Sequence, residues 1–191
     1  MRLYYTLHII FFHQLIFDTP QLTQFLAHTS NTQPPVEARV VFYNHHVGVT
    51  LSGIIPRDFV LTVRCKQSDW QLSSLTQIYS SSLPEAFIST VEHLYINLWH
   101  SRWQDDIEDS QWLELLHPFT AVKDLYLSQE CTTRIGPALQ ELAGEVLPSL
   151  QNLFLQDQDL HPSRPVQGAI GKFVAARQLL GQSITITVSG W

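Results

Sequence analysis

Three hexamers carry nearly the same pattern of apolar and polar residues: VEHLYI (Val91–Ile96), VKDLYL (Val122–Leu127) and LQNLFL (Leu150–Leu155). They start thirty-one and then twenty-eight residues apart, with apolar residues at positions one, four and six. Alternation over the last three positions predicts a strand with Leu94 and Ile96 on one face and Tyr95 on the other. A fourth copy is expected at Ile184, Ile186 and Val188, thirty-one residues after Leu153, with Gly181 in place of the first apolar residue. Upstream, Leu61 and Val63 lie thirty-three residues before Leu94 and Ile96, which extends the repeat over at least the last two thirds of the chain.

Between these strands the apolar period becomes helical. Thr132 or Thr133 caps a helix bearing Ile135, Leu139 and Leu142, with Gly144 at its end. Ser163 and Pro165 open another, carrying Val166, Ile170, Phe173 and Val174 and ending at Gly181. A shorter helix starts at Asp109 or Ser110, bears Trp112, Leu113 and Leu116, and stops at Pro118. Trp70 to Tyr79 predicts a further helix, and Thr19 with Pro20 caps one carrying Leu22, Phe25 and Leu26. Tyr5 to Phe12, rich in β-branched and aromatic residues, predicts a buried strand.

Strand and helix alternating every thirty residues or so predict parallel βαβ units. Each unit exposes an apolar face until a neighbour stacks on it. The expectation is a single α/β domain over 1–191, a right-handed solenoid with parallel strands on one side and helices on the other. The segment 38–64 breaks the period; RVVFYNHHVGVTLSG predicts two strands joined at Asn44 to His46, hence an irregular or antiparallel element.

Composition narrows the function. Apolar residues make up 45% and charged residues 15% of the 191, which excludes a disordered tail. Net charge is −6 with scattered Lys and Arg, so nucleic acid is not an expected partner. Arg2 and the apolar run after it imitate a signal peptide, but His8, His13 and Gln14 interrupt the run and no small-residue cleavage site follows. The run is also too short and polar to span a bilayer. Two cysteines sixty-six residues apart suit free thiols in a reducing compartment. The expected location is intracellular, cytoplasmic or nuclear, with no membrane partner.

The spacing L-x-x-L-x-L is the opening of the leucine-rich repeat. The asparagine or cysteine usual three residues after the last leucine is replaced by Trp99, Glu130 and Gln158, so the turns need other hydrogen-bond partners. FDTPQLTQFLAHTS, DWQLSSLTQIYSSSLP, STVEHLYI, WLELLHPFTAVKDLYLS, ALQEL, EVLPSLQNLFL and GKFVAARQLLGQSI together resemble the leucine-rich-repeat region of F-box proteins abundant in mushroom-forming fungi. The resemblance covers most of the chain in order, but rests on scaffold residues. It implies an irregular leucine-rich-repeat-like domain that selects the substrate of a cullin-type ubiquitin ligase. In that family the F-box binds the ligase adaptor. No LP-x-E-type F-box opening occurs here, so the expectation is a domain truncated at its N-terminal end, binding the adaptor only where an F-box is supplied elsewhere.

Motifs for chemistry are sparse. Asp105, Asp106, Glu108 and Asp109 lack calcium-loop spacing and suit a helix start. His45 and His46 have no third ligand at convincing spacing, so no metal or other cofactor is expected. No G-x-S-x-G, phosphate loop or H-E-x-x-H occurs. The positive signal is the strand face turned away from the helices: His93, Tyr95 and Asn97, then Asp124, Tyr126 and Ser128, then Asn152, Phe154 and Gln156, continued by Ser183, Thr185 and Thr187. In register, Tyr95, Tyr126 and Phe154 form an aromatic row suited to protein recognition, or a ladder that only stabilises the sheet. The leading expectation is a non-enzymatic protein-interaction module with a protein partner of unknown identity. A structural remnant with an apolar edge at Tyr5 to Phe12, and an enzyme using the histidine-rich turn, are the alternatives.

Overall fold

The computed structural model describes residues 3–10, 34–53, 57–65, 70–81, 83, 85–99, 108–141, 143–156 and 168–189. The helix expected after Thr19, the residues Asp105, Asp106, Ser163, Pro165 and Val166, and Phe11 and Phe12 lie outside them.

Among the described residues eight strands form one open mixed sheet: β1 (Leu3–Ile10), β2 (Glu37–Phe42), β3 (His46–Ser52), β4 (Arg57–Arg64), β5 (His93–Leu98), β6 (Asp124–Leu127), β7 (Asn152–Gln156) and β8 (Thr185–Ser189). Their spatial order is β1-β4-β3-β2-β5-β6-β7-β8. Only β3 runs against the others, pairing antiparallel with β2 and β4. The helices are α1 (Trp70–Ser81), the single turn α2 (Glu85–Ile88), α3 (Asp109–Leu116), α4 (Gln129–Glu141) and α5 (Ala169–Leu179). α1 packs on α3, α3 on α4 and α4 on α5, while α1 rests on β3 and β4 and α4 on β5 and β7.

The repeated apolar positions form the core between sheet and helices. Leu94, Ile96, Leu125, Leu127 and Leu153 are fully buried, and Val91 and Val122 close the entry to their strands. Trp112, Leu116, Ile135, Leu139, Ile170 and Phe173 meet them from the helices. Burying each such side chain contributes roughly 1.5–3 kcal/mol. Gly136 is packed against α5; a Cβ there would stand 3.0 Å from that of Ala169, tighter than ordinary packing, so the close approach favours glycine.

The repeat is shorter than its spacing predicts. β5, β6, β7 and β8 are sequential parallel neighbours, and among the described residues one helix lies between each and the next. Leu61 and Val63 of β4 are not next to β5: they pair with β3, and β5 receives β2 instead. The physical reason is the β2–β3 hairpin. Its alternating apolar residues Ala38, Val40 and Phe42 fill the place beside Leu94, Ile96 and Leu98, and the meander carries β4 two strands further out. The antiparallel element expected near 38–64 is this hairpin, joined at Tyr43 to His45. Gln71, buried on α1, donates from Nε2 to the Tyr43 carbonyl at 2.6 Å and fixes the turn to the helix layer.

Two local differences follow from hydrogen bonding. α4 starts at Gln129, three residues ahead of the expected Thr132 cap, because the Ser128 carbonyl takes the first helical bond from the Thr132 N–H. The Thr132 and Thr133 hydroxyls bond back to the carbonyls of Ser128 and Glu130. At the last strand, Leu153 pairs with Ile186 and Leu155 with Val188, so the fourth copy is displaced by two residues from its predicted alignment. The turn after α5, with Gly181 at φ +77°, takes up the difference without changing which face each residue occupies.

No helix among the described residues is long and apolar enough to cross a membrane.

Candidate strand-face interaction site

On β2 to β8 the residues alternating with the core lie on the sheet face away from the helices. Register arranges them in rungs. One runs Glu37, His93, Asp124, Asn152, Thr185; the next runs Arg39, Tyr95, Tyr126, Phe154, Thr187; a third includes Val41 and Asn97. Gln156 ends β7 on the same side.

The middle rung is a stack of rings. Tyr95 and Tyr126 lie 4.1 Å apart at 11°, and Tyr126 and Phe154 lie 4.3 Å apart at 7°. Both spacings are below the usual strand separation of about 4.8 Å, so the rings lean into contact. The Arg39 guanidinium stands 4.7 Å over the outer face of Tyr95 and reaches Glu37 at 3.7 Å. Burial, the Glu37 carboxylate and a hydrogen bond with Tyr126 push the Tyr95 hydroxyl up to about 12.

The first rung is a hydrogen-bonded chain. His93 Nδ1 donates to Asp124 Oδ2 at 2.7 Å, and Asn152 Nδ2 donates to Asp124 Oδ1 at 2.6 Å. Both carboxylate oxygens are engaged, and Asp124 keeps only 17% of its side-chain exposure. The chain ties three strands together beside the ring stack. Lys123 and Glu92 form a further pair at 2.9 Å, one residue ahead of this rung on each strand.

Ser128 does not belong to this face. β6 ends at Leu127, and Ser128 turns into the start of α4, where it is buried. Its Oγ accepts the Leu98 N–H at 3.1 Å, satisfying one of the backbone groups left by the missing asparagine ladder. Asn97 stays on the face, with a buried Oδ1 that has no hydrogen-bond partner. Ser183 precedes β8, so only Thr185 and Thr187 continue the rungs.

Arg39 and Glu37 were not among the residues expected here. The alternation in EARVVF carries the signal, because Ala38, Val40 and Phe42 are buried and Arg39 stands between them. The obstacle was topological: nothing in the spacing places β2, rather than β4, beside β5.

The histidine-rich turn is built differently. His46 stacks on Tyr43 at 4.3 Å and 15°, and His45 is exposed. Burial first, then the charges of Arg64 and His45, lower the pKa of His46. Arg64 and His45 are basic residues, whereas a general-base histidine commonly gives its other ring N–H to a carboxylate or a backbone carbonyl. Cys131 is fully buried at the start of α4, and burial pushes its thiol far up, which suppresses the thiolate. Of the acidic cluster, Glu108 accepts from the Ser110 hydroxyl at 3.2 Å ahead of α3. Among the described residues no group of three His, Cys, Asp or Glu side chains is placed to hold a metal ion.

Set beside known proteins, the chain matches no family model and no curated sequence significantly.

Proposed function

We propose that the chain is a non-enzymatic protein-interaction module that holds its partner on the open strand face. The observation that carries this reading is the three-ring row with its flanking hydrogen-bonded rung. The facing sides of the three rings cover each other, and Arg39 covers the outer face of Tyr95. What remains outward are ring edges and two tyrosine hydroxyls, on a rung whose carboxylate is already paired. Such a face cannot stack a nucleobase between its rings. It offers a flat, pre-ordered strip of the residue type that dominates protein interfaces.

In this reading β5 to β8 and their helices are units of a degenerate leucine-rich-repeat solenoid, and the module is akin to the substrate-selecting region of fungal F-box proteins. Ligase recruitment then depends on an F-box supplied with the domain. Both described cysteines are free and buried, which suits an intracellular setting.

Affinity capture from the source cells tests this. The wild-type chain is expected to retain a polypeptide in stoichiometric amount that Tyr126→Lys loses and the helix-side control Gln140→Lys keeps. Ligase adaptor and cullin subunits are expected only with a parent carrying an F-box. Retention of the same polypeptide by Tyr126→Lys contradicts the proposed face.

A further inference from the structure

The hairpin end of the open face differs in charge from the aromatic row. Val47 and Val49 of β3 and Leu61 and Val63 of β4 are buried, so His46, Gly48, Thr62 and Arg64 lie on the face turned from the helices. His46 stands directly opposite Arg64. The Cys65 N–H donates to the His45 carbonyl at 3.0 Å, which brings His45 to the same end. Among the described residues Arg64 has no carboxylate partner, whereas Arg39 is engaged by Tyr95 and Glu37. No acidic residue occurs in β3, in 38–42 of β2 or in 59–64 of β4. Gly48, in the middle of β3, is not demanded by the fold. Its φ lies outside the left-handed region, and a Cβ there would meet nothing nearer than Tyr43 Cε2 and the Val41 carbonyl, both at 4.0 Å. A glycine inside a strand with neither demand fits a place where another chain approaches the backbone closely.

We infer that this end of the open face binds an acidic segment of a partner polypeptide, its main chain over Gly48 and a carboxylate on Arg64. The inference rests on the protein-interaction reading above and adds the chemistry of the partner. Gly48 leaves a depression one side chain deep, between Thr62 of β4 and Val41 of β2 on its own rung. The Tyr43 ring walls it at one end and is itself stacked on His46 at 4.3 Å. Arg64 stands one strand and one rung from Gly48, about 5 and 7 Å, within reach of a carboxylate lying there. A guanidinium takes both carboxylate oxygens in a fork, and Arg64 gives up no existing ion pair to do so. The site is ordered in advance: Gln71 holds the Tyr43 carbonyl from the helix layer, and the Tyr43 N–H donates to the His46 carbonyl at 2.9 Å. The chain as a whole carries −6 and repels acidic segments, so their capture depends on this local basic excess. Tyr95 lies two strands and one rung from Gly48 on the same face, close enough for one polypeptide to reach both.

Fluorescence anisotropy of a labelled deca-glutamate peptide with the full chain tests this, beside a deca-lysine peptide and a deca-thymidine oligonucleotide. The glutamate peptide is expected to bind saturably, and more tightly than the other two probes. Arg64→Gln is expected to weaken it about tenfold, the loss of one charge-assisted pair. Gly48→Val, which suits a strand and has room at its Cβ, is expected to weaken it by a similar factor with unchanged circular dichroism. Lys172→Gln, exposed on the helix layer, is expected to leave binding unchanged. Tyr126→Lys, which probes the ring row, is not expected to weaken it, so failure of either reading shows separately. Absence of saturable binding, full binding by Arg64→Gln or by folded Gly48→Val, an equal loss in Lys172→Gln, or tighter binding of the lysine or thymidine probe overturns the inference.

Discussion

Tyr95 is held between a guanidinium and a second phenol, and its ionisation reports that environment. Its folded pKa of about 12 lies above the ordinary 10, chiefly through burial. A raised pKa means the folded state keeps a proton that the unfolded state has lost between those values. This contribution to stability is therefore complete below pH 10 and disappears as pH rises through 12. An ultraviolet titration of wild type minus Tyr95→Phe is expected to place the missing phenolate step near 12; a difference step at 10 contradicts the packing described. Asp124 organises the same surface. With both oxygens bonded to neighbouring strands, it fixes His93 and Asn152 in place.

At the scale of elements, two buried side chains satisfy backbone groups at the junctions. Ser128 does this between β5, β6 and α4, so Ser128→Ala leaves the Leu98 N–H buried without a partner. The expected cost is about 2 kcal/mol, read as a melting midpoint lowered by about 6 °C; Ser128→Thr, which keeps the hydroxyl, should recover most of it. Arg177 of α5 performs the corresponding task beyond α4. It is fully buried, donates to the carbonyls of Val146 and Leu147 and to Gln182, and lies 5.3 Å over the Phe173 ring. Leu147 itself has φ +52°, a conformation the guanidinium helps to hold. Arg177→Met is expected to lose about 3 kcal/mol in chemical denaturation, with Arg177→Lys recovering less than half, because a compact ammonium lacks the planar fork whose two arms reach Gln182 on one side and the Val146 and Leu147 carbonyls on the other. Neither residue was legible as a junction. The missing asparagines showed that substitutes were needed, but a buried arginine thirty residues from its acceptors leaves no pattern in sequence.

For the whole molecule, alternation was the readable signal and neighbour order was not. Leu94, Leu125 and Leu153 announce their burial and their rung through spacing alone, so the aromatic row follows from the sequence. The identical arithmetic applied to Leu61 and Val63 fails, because apolar alternation is satisfied beside any apolar strand and the hairpin supplies a nearer one. Arg39 joined the face for that reason and could not be foreseen. What touches this face decides the proposed function. A photo-activatable benzophenone side chain at position 126 tests it most directly, with the same probe at Gln140 on the helix layer as reference. Irradiation in source-cell extract is expected to join position 126, and not 140, to a discrete second polypeptide. Cross-linking only from 140, or equally and diffusely from both, would contradict it.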